Sequence, residues 1–293
     1  MYRRNFLLYT LLFAAGCGAA NITSSSDPVL PETLTFTVTD AEGLEELEAD
    51  YGTFRAALAE ALNTNVEFFP VSGHLAAAPA MLAGKVDLVW AGPSEYLVLA
   101  ARAEAVPVVT LKRPDFRSVV IVRADSGIQS LSDLKGKTID LRKVGSTTSH
   151  LGGAQILLAA GLKPDVDVKT VMSGKRTLQG VKNGEVDAVV MATHRYQTIL
   201  EEENLAAEDY PILQTGELLP GDIFVASNQL DAAIVETIQS RMLNHQEQLV
   251  QGIVAAPSLA KKFKGASLVT VNTEAYDIFR GIYEAIGQEE LIQ

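Results

Sequence analysis

Ala83-Gly84-Lys85-Val86-Asp87-Leu88-Val89 and, one hundred residues on, Asn183-Gly184-Glu185-Val186-Asp187-Ala188-Val189 share one form: Gly, charged residue, Val, Asp, apolar residue, Val. Each follows a helical pattern, so each reads as a helix closed by Gly and followed by a buried strand. Two explanations stand open: coincidence, because such loops are common, or two similar lobes. Working outward, residues 34–39, 66–71, 86–90 and 106–111 form a first series of apolar strand-like runs, with helical patterns between the first three. A second series occupies 118–123, 137–141, 168–172 and 186–191, its later members separated by helical patterns at 149–160 and 176–183. Strands alternating with helices imply βαβ units and parallel sheets. A last strand-like run at 223–227 precedes helical patterns at 232–254 and 273–286. Those helices need a sheet to cover, so the chain is expected to return to the first lobe. The expected fold is α/β: two similar lobes, each a mostly parallel sheet flanked by helices, joined by hinge crossings with the ligand cleft between them. The expected division is lobe 1 at 32–117 and 216–293, and lobe 2 at 118–215. Such lobes close about a hinge, and ligands lie beyond the carboxyl ends of the strands.

The chain has 293 residues, with 36 acids against 24 Lys and Arg and a formal charge of −12. That excess repels phosphate backbones and argues against nucleic-acid partners. Cys17 is the one cysteine, which excludes an intramolecular disulfide, a cysteine zinc site and a Cys nucleophile in the folded body. Arg3 and Arg4 precede a run from Phe6 to Gly16 that is apolar or small apart from Thr10. This is too short to span a bilayer and reads as a signal-peptide core over 1–16. It stops at Ala14-Ala15-Gly16-Cys17, which resembles a bacterial lipobox with Cys17 as the lipidated first residue; a cleavage site of the A-x-A kind is the alternative. Arg3-Arg4-Asn5-Phe6-Leu7 also resembles a twin-arginine signal, so Sec and twin-arginine routes both stand. Either reading exports the protein. Residues 17–31 are small and polar and read as a tether, and loss of 1–16 leaves a charge of −14.

After the strand at 137–141 comes Arg142-Lys143-Val144-Gly145-Ser146-Thr147-Thr148-Ser149-His150, then an apolar helix. Four consecutive hydroxyls at a helix start place O–H donors beside unpaired backbone N–H groups and the positive end of the helix dipole, as a tetrahedral oxyanion requires. One hydroxyl suffices for capping, and an N-cap with spare hydroxyls is the competing reading.

These residues lie within a wider resemblance. Val89-Trp90-Ala91-Gly92-Pro93-Ser94-Glu95-Tyr96, the crossover strand from Arg117 to Ile128, Leu131-Ser132-Asp133-Leu134-Lys135-Gly136-Lys137 and Gly184-Glu185-Val186-Asp187-Ala188 resemble, along nearly the whole mature chain, the periplasmic phosphonate, phosphite and phosphate-type binding proteins of ABC importers. Thr147-Thr148-Ser149 stands where that family has Ser-Thr-Ser. The resemblance implies an extracytoplasmic monomer that takes a small oxyanion to an ABC permease, without cofactor or metal and anchored to the membrane by lipid. It also implies that Ser146, Thr147, Thr148 and Ser149 hold the anion from the second lobe and that Tyr96 reaches it from the first; a core role for Tyr96 is the alternative. His74 replaces a common Tyr, Lys175 a common His, and Thr193 lies near where an acid can meet a ligand amine. Loss of that acid argues against an aminoalkyl phosphonate. Lys175 adds positive charge, or, like Arg176, is a solvated residue of a first helical turn. His74 and His150 are contacts or ordinary surface and capping groups, and His194 and Arg195 line the cleft or face solvent.

His74, His150, His194 and His245 are too scattered for a helical metal pair, and neither G-x-S-x-G nor a P-loop occurs. Binding rather than catalysis is the expectation. A sensor module for a membrane receptor or kinase, or a binder of another small anion such as sulfonate, is the alternative.

Overall fold

The computed structural model describes residues 28–174 and 178–293. The export signal, Cys17 and most of the tether lie outside the described residues, as do Lys175 and Arg176. Leu30, expected in the tether, is buried against the core instead, so the ordered body begins slightly earlier than its composition suggested.

The first half of the chain runs β1 (Thr33–Val38), α1 (Gly43–Leu62), β2 (Asn65–Phe68), α2 (Ala77–Leu82), β3 (Leu88–Ala91), α3 (Pro93–Ala103) and β4 (Val106–Lys112). It continues through β5 (Ser118–Val122), β6 (Thr138–Asp140), α4 (Gly152–Ala159), β7 (Lys169–Val171), α5 (Gln179–Lys182), β8 (Ala188–Ala192), α6 (Thr193–Glu202) and β9 (Ile212–Thr215). It ends with β10 (Asp222–Ala226), α7 (Ala232–Asn244), α8 (Gln246–Val254), α9 (Pro257–Ala260), β11 (Ser267–Val269) and α10 (Asp277–Ala285). One sheet has the order β11-β4-β10-β3-β1-β2 and the other β7-β6-β8-β5-β9. Among the described residues no helix is long and apolar enough to cross a membrane.

The expected parallel ladders are β2-β1-β3 and β7-β6-β8, and each is extended by antiparallel strands, so both sheets are mixed. The reason is topological. Strands of βαβ units all leave their sheet at one edge, whereas β5 and β10 arrive from the other sheet and enter at that same edge. They therefore run against β8 and β3. β5, β8 and β10 are buried along their whole length, because helices cover both faces of each sheet; this is why they read as unbroken apolar runs.

The paired sequence motif marks the same device in both lobes. Gly84 (φ 66°) and Gly184 (φ 71°) close their helices in the left-handed region that favours glycine. The following Asp then fastens the new strand to its parallel neighbour: the Asp87 N–H donates to the Thr35 carbonyl at 3.0 Å, and that of Asp187 to Thr138 at 2.8 Å. Asp87 Oδ2 in turn accepts from both Thr35 N and Oγ1 at 2.7 Å, and Asp187 Oδ2 from Thr138 N at 2.8 Å. Asp87→Ala is expected to cost about 1–3 kcal/mol, seen as a lower urea midpoint at unchanged m value.

Three boundaries differ from expectation. β2 stops at Phe68, before Pro70, which has no N–H to offer a ladder. The helical stretch 232–254 divides into α7 and α8 at His245, whose Nδ1 lies 2.9 Å from the Arg241 carbonyl. The break lets α8 lie on α1, where Thr53 Oγ1 donates to the Gly252 carbonyl at 2.7 Å. β9 and β11 are short edge strands that carry too few buried positions to show a period.

Candidate functional site

The residues that follow β1, β3, β4, β6 and β8 face one cleft of about 360 Å³ between the two sheets, within the size range of small-ligand sites. The hydroxyl loop forms its second-lobe wall. Ser146, Thr147, Thr148 and Ser149 all line it, and Thr147–Leu151 form a π-helical turn that runs directly into α4. Such turns are uncommon and concentrate at functional sites. The turn can sit this close to β5 because position 152 is glycine: a Cβ there would lie 2.0 Å from Ser118 Oγ, the hydroxyl that donates to the Thr148 carbonyl at 2.9 Å.

The four hydroxyls are not equivalent. Thr147 Oγ1 donates to Glu95 Oε2 at 3.0 Å, accepts from the Ser94 N–H at 3.2 Å and lies 2.8 Å from Ser94 Oγ, which also donates to the Gly145 carbonyl at 2.8 Å. Its side chain thus joins the two lobes rather than facing the cavity freely. Gly92 makes room for this junction, since a Cβ there would stand 2.4 Å from Glu95 Oε2 and 2.9 Å from Thr147 Oγ1. Pro93 then opens α3 at a position where its missing N–H is no loss. Ser149 Oγ, by contrast, is 1% exposed and has no hydrogen-bond partner among the described residues.

His74 lines the cleft, with Nδ1 3.0 Å from Glu95 Oε1. Burial disfavours the imidazolium, but the Glu95 contact and the nearby Asp40 outweigh it and raise the His74 pKa above the ordinary value. Two expected contacts lie elsewhere. Tyr96 is not among the cleft residues; it is buried in the core of the first lobe with its ring 5.0 Å from that of Tyr276. One helical step past Glu95 turns it away from the cavity. Thr193 is absent from the lining too: its N–H donates to the Arg117 carbonyl at 3.1 Å and its hydroxyl points to the same oxygen at 3.4 Å. His150 is buried, and its Nδ1 accepts the Gly145 N–H at 3.1 Å, so it shapes the loop from within.

The cleft also holds Arg113, Arg142, His194, Arg195 and Lys262, with carboxylates at Asp40, Asp50 and Asp222. Arg113 pairs with Asp222 at 3.0 Å and Lys262 with Asp40 at 2.5 Å. His194 is kept neutral, its pKa held well below the ordinary value by burial and by Arg113 and Lys262. Glu46, Asp50 and Glu95 on the first lobe line the cleft as well, so carboxylates face the ligand space although Thr193 stands where the resemblance places an acid. Arg113 and Asp40 were missed although Arg113 directly follows β4 and Asp40 lies two residues past β1, the position where such sheets place ligand contacts. Their signal was that placement alone, since neither lies in a recognisable motif.

Residues 36–273 match the family model described as "ABC transporter, phosphonate, periplasmic substrate-binding protein". The chain is 25% identical over 247 residues, 78% of its length and 77% of the other, to the phosphate-import protein PhnD of Mycolicibacterium smegmatis. Two solved structures superpose with a TM-score of 0.71. PhnD1 of Prochlorococcus marinus in complex with methylphosphonate is 18% identical, covering 88% of this chain and 99% of that one. XAC2383 of Xanthomonas citri bound to ATP is 16% identical, covering 89% and 98%. At such identities these two structures establish the fold alone.

Proposed function

This chain belongs to the family of periplasmic phosphonate-binding components of ABC transporters, and from that premise we propose that it captures a small phosphorus oxyanion, a phosphonate, phosphite or phosphate, between its lobes and presents it to a permease. The observation that carries this reading is Ser149: a buried hydroxyl without a hydrogen-bond partner among the described residues, at the start of a helix, on the wall of the cleft. Leaving such a group unpaired is costly, and a tetrahedral oxyanion satisfies it together with the N–H groups of the first turn. Ser146 and Thr148 flank the same position, Thr147 contributes by holding the lobes together through Ser94 and Glu95, and His74 fixes Glu95 from within the first lobe. Neither a general base beside a nucleophile nor a phosphate-cleaving constellation is needed for this role.

Ser149→Ala is expected to remove a charge-assisted hydrogen bond worth about 1.5–3 kcal/mol, weakening binding by roughly ten- to more than a hundredfold. Calorimetric titration of the parent and variant with phosphate, phosphite and methylphosphonate measures this; an equal dissociation constant would exclude the loop as the site. We further infer that Cys17 carries a lipid anchor, which intact-mass spectrometry of membrane-extracted protein tests by the added acyl mass.

A further inference from the structure

Arg113 is the buried cation of the cleft whose position was not anticipated. It directly follows β4, on the segment where the chain leaves the first sheet for the second, and it is 5% exposed. Its Nη2 donates at 3.0 Å to Oδ1 of Asp222, the first residue of β10, where the chain has just returned. The two crossings are thereby tied to each other. One face of the guanidinium is covered by Phe116, 3.2 Å away at the ring centroid, and Phe263 stands at 5.1 Å. Its remaining donors, Nε and Nη1, have no hydrogen-bond partner among the described residues, and Arg113 lines the same cleft as Ser149. Across the cleft, Arg142 Nε is likewise buried and unpartnered.

We propose that Arg113 is the first-lobe contact of the bound oxyanion and that, through Asp222, it makes the hinge crossings themselves part of the binding site. This rests on the oxyanion reading above. A guanidinium stays charged and offers its N–H groups in a fixed plane. Held by Asp222 on one side and by aromatic rings on its face, it needs no reordering to meet a ligand, which removes much of the entropic cost of binding. An anion held by Ser149 and Arg113 bridges the second-lobe wall and the crossing strand, so it favours the arrangement in which both reach it; a ligand shifts a conformational equilibrium only through such differential contacts. Arg113 thus takes the first-lobe role that the resemblance assigned to Tyr96.

The purified full chain provides its own reporter, because Trp90 is its one tryptophan, lines the cleft, and packs with its ring centroid 5.1 Å from that of Phe263, which stands beside Arg113. Parent, Arg113→Lys and the double variant Arg113→Met/Asp222→Leu are titrated with phosphate, phosphite and methylphosphonate by calorimetry and Trp90 fluorescence. The double variant removes both buried charges together, a replacement that buried pairs tolerate, so it supplies a folded molecule without the cation. The expected result is that the parent binds one of these anions and quenches or shifts Trp90, while the double variant binds at least tenfold more weakly and Arg113→Lys falls between. In the parent alone, the Arg113 Nε–H resonance in a nitrogen-15 spectrum is expected to shift on saturation. Equal affinity of parent and double variant, or an unmoved Nε–H signal at saturation, overturns the role of Arg113 and leaves the oxyanion reading standing. Absence of binding by the parent overturns both.

Discussion

Asp222→Ala is expected to lower the free energy of unfolding by about 3–5 kcal/mol, the usual cost of stripping one partner from a buried ion pair. For a chain of this size that corresponds to a fall in melting temperature on the order of 10 °C. Both members of the pair lie almost wholly out of water, Arg113 at 5% and Asp222 at 5% exposure. Burial works against both charges: it raises the Asp222 pKa against the pull of Arg113, and it lowers that of Arg113 against the pull of Asp222. The pair is therefore no net source of stability, yet either member alone is a liability. Asp222→Ala leaves a guanidinium that cannot shed its proton buried against Phe116 and Phe263 without the carboxylate that hydrogen-bonds it. The double variant Arg113→Met/Asp222→Leu is expected to recover most of the loss. Denaturant melts of both at neutral pH decide the point: a single variant as stable as the parent would mean that water reaches the pair.

Acidification from pH 6.5 to 4 is expected to remove about 3 kcal/mol of stability through His150 alone. Burial pushes its pKa down from 6.5 to about 4 against the weaker pull of Asp165, and a proton on Nδ1 would also break the bond it accepts from the Gly145 N–H. Between the two values the unfolded chain binds the proton and the folded one does not, so stability rises with pH across that window and falls on acidification. The difference of about 2.5 units, at roughly 1.4 kcal/mol each, sets the size. His194, neutral in its cationic corner, acts in the same direction. His74 has the opposite sign in a different window: its raised pKa adds stability that is fully present below pH 6.5 and is lost as pH rises through its folded value. Urea midpoints of the parent and of His150→Asn, measured between pH 7 and 4.5, test this. A parent curve as flat as that of the variant would show that His150 titrates normally.

How much of this could be read from residues alone differs between fold and site. The strand and helix runs needed no tertiary information, because burial on both faces writes itself into a strand as an unbroken apolar stretch, as in Val119-Val120-Ile121-Val122. The paired Gly-x-Val-Asp motif was ambiguous as text and became informative only once Asp87 and Asp187 were seen fastening equivalent strands. The hydroxyl loop was legible as a unit, yet its four members looked alike. Only the approach of α3 distinguishes Thr147, engaged by Ser94 and Glu95, from Ser149, which has no hydrogen-bond partner among the described residues.

The sequence by itself determined the α/β class, the two-series rhythm and the family, and it singled out the hydroxyl loop proposed to hold the anion, because each of these rests on local patterns of apolar period, glycine and hydroxyl. Tertiary structure alone decided that both sheets are mixed, that Tyr96 faces the core, that Arg113 meets Asp222 from 109 residues away, and which hydroxyl of the loop is unpaired among the described residues. Those outcomes depend on which groups the crossing strands bring within about 3 Å of one another, the range over which a hydrogen bond acts, and no spacing along the chain encodes that distance.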